Sequence, residues 1–475
     1  MPHAKLPLVI GGALAVAVVA AVALVELFDV PPRELARYVD RRVSGHNPSI
    51  VRTGDWVARK LRALDRGDIA PIALGSLVAG SRNDAPVAGA HIVPVSTSAE
   101  LVEAIARAHP GDVITLANGV YRFGGRPHLD AALPGRAGAP ITVRAADPGT
   151  ALLEFDMAEG FRVSAPYWRF ENLHIRGVCA EQSACEHAFH IVGNGSGFVA
   201  RNNTVVDFNA HFKINGENRD FPDGGSIEGN TLVNSSVRDT DSPVTPIDIV
   251  GASNWRIAGN LIADFIKGQG DRTSYGAFAK GGAADTVFER NIVVCENALR
   301  ALPGQRVGLS VGGGGSEQQY CRGSDCAVEH FRGAIRANLI VSCSDDGIYV
   351  NRGDGISITH NTLIDTGGIT VRFSRSDAAV VGNLIDGLLR AKDGGRIRAN
   401  DNFATRAIEL YAGRHPVRAL FRDLRAGNLE WAADPPRGDA HGDPGKDLCD
   451  AARPARPAHG AFETIAACAA IRGVR

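Results

Sequence analysis

Short apolar segments that follow an asparagine recur along most of the chain. The pattern of Asn, two or three aliphatic residues and then a small or acidic residue starts at Asn203, Asn230, Asn260, Asn291, Asn338, Asn361 and Asn383. The intervals are 27, 30, 31, 47, 23 and 22 residues. A repeated unit of strand, turn and strand with a period near 30 residues is typical of a solenoid.

Asparagine suits the turn of each unit because it tolerates a left-handed backbone and its amide bonds to neighbouring peptides. Stacked coils would align these residues as an asparagine ladder inside the solenoid. A leucine-rich repeat has a similar period, but its units need a leucine or helical scaffold, whereas these units are rich in Gly, Val and Ile. We therefore predict an all-β fold, a right-handed parallel β-helix over residues 91–403, followed by a C-terminal coil and tail over 404–475.

The 47-residue interval predicts one coil with a long insertion, residues 299–326. Insertions in solenoids usually line a functional face. At the other end of the solenoid, Thr97 and Glu100 have the spacing of a capping box, and Pro110-Gly111 ends the apolar helical pattern that follows. This pattern predicts an N-terminal capping helix.

The first 27 residues predict a membrane segment. Residues 6–25 form a run of twenty residues without a charge, long enough to cross a bilayer as a helix. Residues 21–23 resemble a small-x-small cleavage site, so a removed signal peptide is the alternative to a transmembrane anchor. Both interpretations predict an exported protein, either membrane-anchored or secreted, with residues 28–90 as a juxtamembrane helical linker.

Export changes the interpretation of the eight cysteines. Two close pairs, Cys179 with Cys185 and Cys321 with Cys326, are expected to staple loops, as disulfides do in oxidising compartments. Cys449 and Cys468 are candidates for a disulfide in the tail, while Cys295 and Cys343 are either paired or buried thiols. A zinc site is disfavoured, because neither close pair has CxxC spacing and no histidine pair stands beside them at ligand spacing.

Composition narrows the range of functions and folds that the chain could have. With 51 basic and 52 acidic residues the net charge is -1, so a broad nucleic-acid-binding surface is not expected. Only 6% of residues are aromatic and 55 are glycine, which suits many short strands and tight turns.

Polar residues recur within the apolar strands that precede each asparagine. The predicted groove residues are His190, Lys213, Asp248, Lys280, Asn351, Arg352 and Arg372. Because strand side chains alternate between core and solvent, a single polar residue in an apolar strand should point outward. Stacking places such residues roughly 5 Å apart in one outward row. We expect this row to form a groove for an acidic polysaccharide.

The associated chemistry is β-elimination at a uronic acid. A base removes the proton next to the carboxylate, a cation neutralises that carboxylate, and an acid protonates the leaving oxygen. Lys280 is the candidate base, since it lies among other cationic residues. Candidates for the neutralising role are Lys213, Arg300, Arg306 and Arg352.

The capped helix and strand STSAELVEAIARAHPGDVITLANGVYR, the repeats and the segment AFAKGGAADTVFERN together resemble the chondroitinase B and alginate lyase family, polysaccharide lyase family six. The resemblance covers about residues 93–462 and implies that Lys280 is the catalytic base, with Arg300 or Arg306 in place of the family's arginine. It also implies calcium bound by Glu and Asn residues near the lysine. The strand DRTSYGAFAK offers only Asp271, Thr273 and Tyr275, so no cofactor is expected.

Two other functions compete with the lyase. The same scaffold could serve as a non-catalytic glycan-binding or cell-envelope structural protein. The pair Asp345 and Asp346 resembles the paired aspartates of polygalacturonase-type glycoside hydrolases, in which carboxylates act as acid and base. The partner motifs of those hydrolases are missing, and consecutive aspartates are also ordinary turn residues.

Overall fold

The computed structural model describes residues 29–67, 90–438 except 314, 315, 317 and 324, and 445–471. Within these residues the chain forms a parallel β-helix, as predicted, consistent with the right-handed form. Each coil contributes one strand to each of three long parallel sheets, A, B and C, in that order along the chain. The predicted membrane or signal segment, residues 1–27, lies outside the described residues.

Sheet A has twelve strands: β1 (His91–Val95), β2 (Asp112–Leu116), β5 (Ile141–Ala145), β8 (Trp168–Glu171), β11 (Val199–Arg201), β14 (Ser226–Glu228), β17 (Arg256–Ala258), β21 (Val287–Glu289), β25 (Ala334–Arg336), β29 (Ile356–Thr359), β32 (Asp377–Val381) and β35 (Arg396–Asn400). Sheet B has eleven: β3 (Gly119–Gly124), β6 (Ala151–Asp156), β9 (His174–Gly177), β12 (Thr204–Val206), β15 (Thr231–Val233), β18 (Leu261–Ala263), β22 (Ile292–Val294), β26 (Leu339–Val341), β30 (Thr362–Ile364), β33 (Leu384–Ile385) and β36 (Phe403–Ala404).

Sheet C carries the predicted groove residues and has ten strands: β4 (Leu129–Ala131), β7 (Glu159–Val163), β10 (His187–Val192), β13 (Ala210–Asn215), β16 (Ile247–Val250), β19 (Thr273–Lys280), β23 (Gln305–Gly312), β27 (Ile348–Asn351), β31 (Gly368–Arg372) and β34 (Leu388–Lys392). Two small sheets complete the set: β20 (Ala283–Ala284), β24 (His330–Phe331) and β28 (Gly353–Asp354) in one, and β37 (Phe421–Asp423) and β38 (Asn428–Trp431) in the other.

The predicted asparagine ladder runs through the interior at the turn between sheets A and B. Its members are Asn203, Asn230, Asn260, Asn291, Asn338, Asn361, Asn383 and Asn402, and each Nδ2 donates to the Oδ1 of the next at 2.9–3.0 Å. From Asn230 onward, each Oδ1 also accepts the backbone N–H of the preceding asparagine, while the Oδ1 of Asn203 accepts the N–H of Leu173. The ladder thus satisfies turn peptides that would otherwise be buried without partners.

Five α-helices of the described residues surround the solenoid: α1 (Pro32–Val43), α2 (Pro48–Arg66), α3 (Ser98–Ala106), α4 (Ala407–Tyr411) and α5 (Ile465–Ile471). The predicted capping helix is α3. The Thr97 hydroxyl accepts the N–H of Glu100, and Leu101 and Ile105 are buried against the first coil. None of the helices in the described ranges combines the length and the apolar character needed to span a lipid bilayer.

Helices α1 and α2, from the segment interpreted as a linker, form a hairpin that packs on the last coils. The Arg33 side chain donates to Asp65 in α2 at 2.5 Å and to the Cys343 carbonyl at 2.8 Å. Arg66 donates to Asp365 at 2.8 Å. The hairpin is therefore an integral part of the folded body, attached mainly through buried or half-buried arginines.

The C-terminal tail covers the outer face of sheet B. Val417, Phe421, Leu429 and Phe462 pack against aliphatic residues of the sheet such as Leu339. This arrangement shields the outer face of sheet B from solvent.

All eight cysteines are paired. The three predicted disulfides are confirmed, and they join Cys179 to Cys185, Cys321 to Cys326, and Cys449 to Cys468. The fourth disulfide joins Cys295 to Cys343, a pairing that the sequence left open. The two cysteines can pair because they follow strands of adjacent coils. Four disulfides are consistent with an exported, extracellular protein.

The disulfide between Cys179 and Cys185 differs in one respect from the loop staple that the sequence predicted. Cys185 is only 1% exposed and belongs to the hydrophobic core, and its Sγ lies 3.5 Å from the carbonyl oxygen of Phe155. Cys179 is half-buried. The sulfur of Cys185 packs as an apolar group in the space beside Gly177, where an added Cβ would lie only 3.0 Å from it. The bond therefore anchors this loop to the core as well as closing it.

Candidate functional site

The outward side chains of sheet C form two rows that run across its strands. The strand register defines the first row as Arg162, His190, Lys213, Asp248, Phe278, Ser310, Tyr349, Thr370 and Arg390. The second row consists of Asn215, Val250, Lys280, Gly312, Asn351, Arg372 and Lys392. Neighbouring strands are about 4.8 Å apart, so each row places side chains within contact distance.

Lys280 faces outward, but not in the row that the sequence alignment predicted. His190, Lys213 and Asp248 are in register, whereas Lys280 pairs with Val250, and Phe278 continues their row. The cause is the distance to the glycine that follows each strand: Lys280 directly precedes Gly281, which aligns with Gly251, whereas Asp248 stands three residues before Gly251. Since the shift is two residues, Lys280 keeps the same face of the sheet.

The Lys280 ammonium lies against an aromatic ring. Its Nζ is 4.7 Å from the ring centroid of Phe278, a cation–π contact. Among the residues that the structure describes, no carboxylate lies within 4.0 Å of this nitrogen. The side chain is half-buried, while Ala279 before it points into the core.

A cavity of about 570 Å³ lies over Lys280, between sheet C and two loops. It is lined by His187, His190, Lys213, Asn215, Pro243, Thr245, Asp248, Val250, Lys267, Asp271, Thr273, Tyr275, Phe278, Lys280, Ser316 and Tyr320. We call this cavity the lysine groove. It brings together four of the predicted residues, His190, Lys213, Asp248 and Lys280.

Most charges of the lysine groove are paired. Lys213 donates to Asp248 at 2.8 Å, and Lys267 donates to Asp271 at 2.8 Å. His190 lies between Glu159 and Asn215, at 2.7 and 2.9 Å. Lys280 is thus the lysine of the groove that has no carboxylate partner within the described residues.

Two groups of the groove, an imidazole and a phenol, have pKa values that keep them neutral. Burial lowers the pKa of His187 to about 4, with His190 and Lys213 acting in the same direction. Burial also raises the pKa of the Tyr275 phenol, so that it stays protonated at neutral pH. Tyr275 is therefore a neutral hydroxyl group that lines the groove.

The long insertion forms one side of the groove. Its strand β23 belongs to sheet C, and the residues after it return over the lysine, where Ser316 and Tyr320 line the cavity. The buried carboxylate of Glu329 accepts the N–H of Gly281 and the hydroxyl of Ser316, both at 2.9 Å. This bridge ties the insertion to the residue that follows Lys280.

Two arginines predicted to act in catalysis do not face the lysine groove. Arg306 is fully buried, forms an ion pair with Glu296 at 3.2 Å and donates to the Pro303 carbonyl at 2.9 Å. It cannot reach a substrate on the outer face. Arg300 lies on the loop between β22 and β23 and does not line the cavity.

The other predicted binding residues lie further along sheet C. Asn351 and Arg372 are in register with each other in the second row, beyond Lys280. Arg352 follows β27 with a left-handed backbone (φ 57°), and its guanidinium stacks 5.7 Å from the Phe373 ring. It lines a separate cavity of about 570 Å³ with Glu329.

The residues near Lys280 do not fit a calcium site. Calcium needs several oxygen ligands from carboxylates and carbonyls. Asp248 and Asp271, the carboxylates nearest in the groove, are each paired with a lysine. The part of the chain that the structure describes contains no cluster of three or more His, Cys, Asp or Glu residues suited to a metal ion.

Asp345 and Asp346 are both engaged by arginines. Asp345 pairs with Arg37 of α1 at 2.9 Å, and Asp346 pairs with Arg390 at 3.1 Å. Burial raises the pKa of Asp346 to about 6 in spite of Arg390. These ion pairs give the two carboxylates a role in holding α1 and the last coils together.

Sequence analysis did not identify Tyr275, Phe278, Lys267 or helix α1 as parts of the site. Phe278 looked like an ordinary core residue of an apolar strand, and Lys267 lies in a loop without a repeating pattern. The one available signal was the glycine alignment described above, which would have placed Phe278 in the outward row.

Helix α1 forms a wall along the far end of sheet C. The Glu34 carboxylate accepts hydrogen bonds from Arg390 at 2.6 Å and from Lys392 at 2.9 Å. Burial alone would disfavour the charged form of Glu34, yet Lys392 and Arg390 outweigh this and lower its pKa to about 2. The ionised carboxylate therefore holds α1 on the last strand of the sheet.

Replacing Glu34 with glutamine is expected to destabilise the protein by about 1–2 kcal/mol at pH 7, allowing for the partial exposure of the group. Because its folded-state pKa is depressed, this contribution is fully present above pH 4.5 and is lost as the pH falls towards about 2. The difference in melting temperature between wild type and Glu34→Gln should shrink over that range. Asp40→Asn, which removes an α1 carboxylate that pairs with one cation, Arg62, and not with two, is the matched control and should have a smaller effect. An unchanged difference at all pH values would contradict the assignment.

Comparison with known proteins supports the fold. A pectate lyase, Pel9A, matches with a TM-score of 0.55 and 14% identity over 84% of this chain and 99% of the lyase. A rhamnogalacturonan lyase matches with a TM-score of 0.45 and 14% identity over 64% and 81% of the two chains. An alginate lyase from Paenibacillus sp. str. FPU-7 matches with a TM-score of 0.32 and 14% identity over 66% of this chain and 95% of the lyase. No protein-family profile and no curated protein matches the sequence. At this identity, Pel9A shows the parallel β-helix fold alone.

Proposed function

We propose that the lysine groove binds an acidic polysaccharide and cleaves it by β-elimination, with Lys280 as the base. The observation that carries this proposal is the position of Lys280: an outward ammonium on the floor of a cavity, against Phe278, with no carboxylate partner among the described residues. The pectate lyase activity named for Pel9A, whose fold is similar, agrees with it.

The elimination needs three functions. Lys280, in its neutral form, would take the proton next to the uronate carboxylate. Lys213 and Lys267 would provide a positive field for that carboxylate, although each is partly neutralised by an aspartate. They would fill the neutralising role for which Arg306 is too deeply buried. Tyr275, a phenol that lines the same cavity, would donate a proton to the leaving oxygen as negative charge develops on it.

The test is a panel of acidic polysaccharides. The purified protein is incubated with pectate, alginate, chondroitin and dermatan, and the ultraviolet absorbance of unsaturated uronate is followed. A lyase generates this absorbance together with new reducing ends. New reducing ends without absorbance would instead support hydrolysis by Asp345 and Asp346.

The alternative is a non-catalytic glycan-binding protein. It is favoured by the pairing of Lys213 with Asp248 and of Lys267 with Asp271, which leaves few cations free to stabilise a developing charge. Under this alternative, the panel yields binding without either product signal. Sedimentation with insoluble forms of the same polysaccharides distinguishes binding from complete lack of interaction.

A further inference from the structure

A second cavity, of about 610 Å³, lies between helix α1 and the far end of sheet C. Glu34, Arg37 and Arg41 of α1 line one side, at the i, i+3 and i+7 positions that share a helix face. Tyr349, Arg372 and Arg390 form part of its floor. We call this cavity the helix pocket.

The charges of the helix pocket are largely satisfied by one another, with one exception. Arg37 pairs with Asp345 at 2.9 Å, Arg372 pairs with Asp393 at 2.5 Å, and Glu34 is bound by Arg390 and Lys392. Arg41 is exposed and has no hydrogen bond or ion pair with any described residue. A cation without an ion-pair partner among the described residues thus lines a polar cavity.

The helix pocket also offers surfaces for sugar rings. Tyr349 and Tyr275 are half-buried and line it. Aromatic faces beside ion-paired arginines and aspartates combine apolar contact with hydrogen bonding, which suits a carbohydrate that carries carboxylates.

The helix pocket borders the lysine groove on the same sheet. Thr273 and Tyr275 line both cavities. Lys280 lies on β19 and Arg372 on β31, three strand positions further along sheet C. At about 4.8 Å per strand this separation is about 14 Å, a distance that a single polysaccharide chain lying along the sheet would cover.

We propose that the helix pocket is a distal subsite, which binds a uronate residue of the same polysaccharide chain whose cleaved linkage lies at Lys280. This inference rests on the proposed function. Arg41 pairs with the carboxylate of the bound residue, and Tyr349 contacts its ring. The N-terminal hairpin therefore takes part in substrate binding as well as in the fold, and it sets the length of substrate that the protein prefers.

The test compares two adjacent arginines of α1. Arg41→Glu reverses the charge in the pocket, while Arg42→Glu makes the same change at an exposed residue that does not line it and donates to the Tyr38 hydroxyl. Dissociation constants are measured by calorimetry for oligogalacturonates and alginate oligomers of increasing length, on the wild type and both variants. Melting temperatures verify that each variant is folded.

For Arg41→Glu we expect a loss of affinity relative to the wild type that grows with oligomer length and reaches about tenfold for the longest oligomers. Arg42→Glu should have the same dissociation constants as the wild type. Equal affinities in all three proteins, or equal losses in both variants, would overturn the subsite, as would a wild type that binds no oligomer. Cleavage is followed in the same samples. If Arg41→Glu loses affinity in a length-dependent way but no protein cleaves the oligomers, the subsite is upheld and elimination is rejected. The two proposals can therefore fail separately.

Discussion

Replacing Lys280 with alanine is expected to lower the rate of elimination by about 10²- to 10⁴-fold, the usual contribution of a positioned general base. The fold should persist, because the side chain points outward and forms no ion pair with any described residue, so that mainly its contact with Phe278 is lost. The rate is measured as the initial increase in unsaturated-uronate absorbance, and the stability as the melting temperature.

Lys280→Met keeps most of the aliphatic volume beside Phe278 and removes only the amine, so it should be as inactive as the alanine variant. Lys60→Ala, at an exposed lysine of α2, is the control for a general change in charge. If Lys280→Met retained the wild-type rate while the protein cleaved its substrate, another group would have to be the base.

Replacing Asn291 with alanine is expected to reduce the free energy of unfolding by about 3–5 kcal/mol. The Oδ1 of Asn291 accepts both the backbone N–H and the Nδ2 of Asn260, at 3.0 and 2.9 Å. Its Nδ2 donates to Ile257 and Asn338. Alanine would leave these groups buried without partners in the middle of the solenoid. Chemical denaturation followed by circular dichroism measures the loss.

Asn402→Ala is the control at the end of the ladder. Asn402 is half-buried, and its Nδ2 donates to two backbone carbonyls without a further asparagine after it. Because Asn402 is half-buried, alanine would open the end of the ladder beside Asn383 to solvent, and the expected loss is about 1 kcal/mol. Similar losses for the two variants would mean that burial does not determine the contribution of a ladder member.

The repeating parts of this fold could be predicted from the sequence because each coil repeats the same physical requirement. The buried turn of each coil needs an asparagine, and the aliphatic residues after it fill the core. The coil period can therefore be read from the spacing of these motifs in the sequence. The disulfide between Cys179 and Cys185 was predictable for a similar reason, since its partners are close in the chain. The burial of Cys185 was not, because it depends on Phe155 of an earlier coil.

The site was less predictable, because its contacts join residues that are distant in sequence. An arginine in a loop looks the same whether it faces solvent or, like Arg306, is buried against Glu296. The row of Lys280 depended on the register between β16 and β19, which aligns Lys280 with Val250 and not with Asp248. Nothing local indicated that α1 would pack on sheet C, since the partners of Glu34 lie more than 350 residues later.

The attachment of α1 and α2 to the last coils has a consequence for the order in which the protein matures. Arg33 meets Cys343 and Asp365, and Glu34 meets Arg390, at separations of 310, 332 and 356 residues. During synthesis the hairpin emerges early, but the surface that receives it exists only after nearly the whole chain has been made. A nascent or truncated chain would therefore have a groove open on one side, and docking of the hairpin would mark a completed molecule.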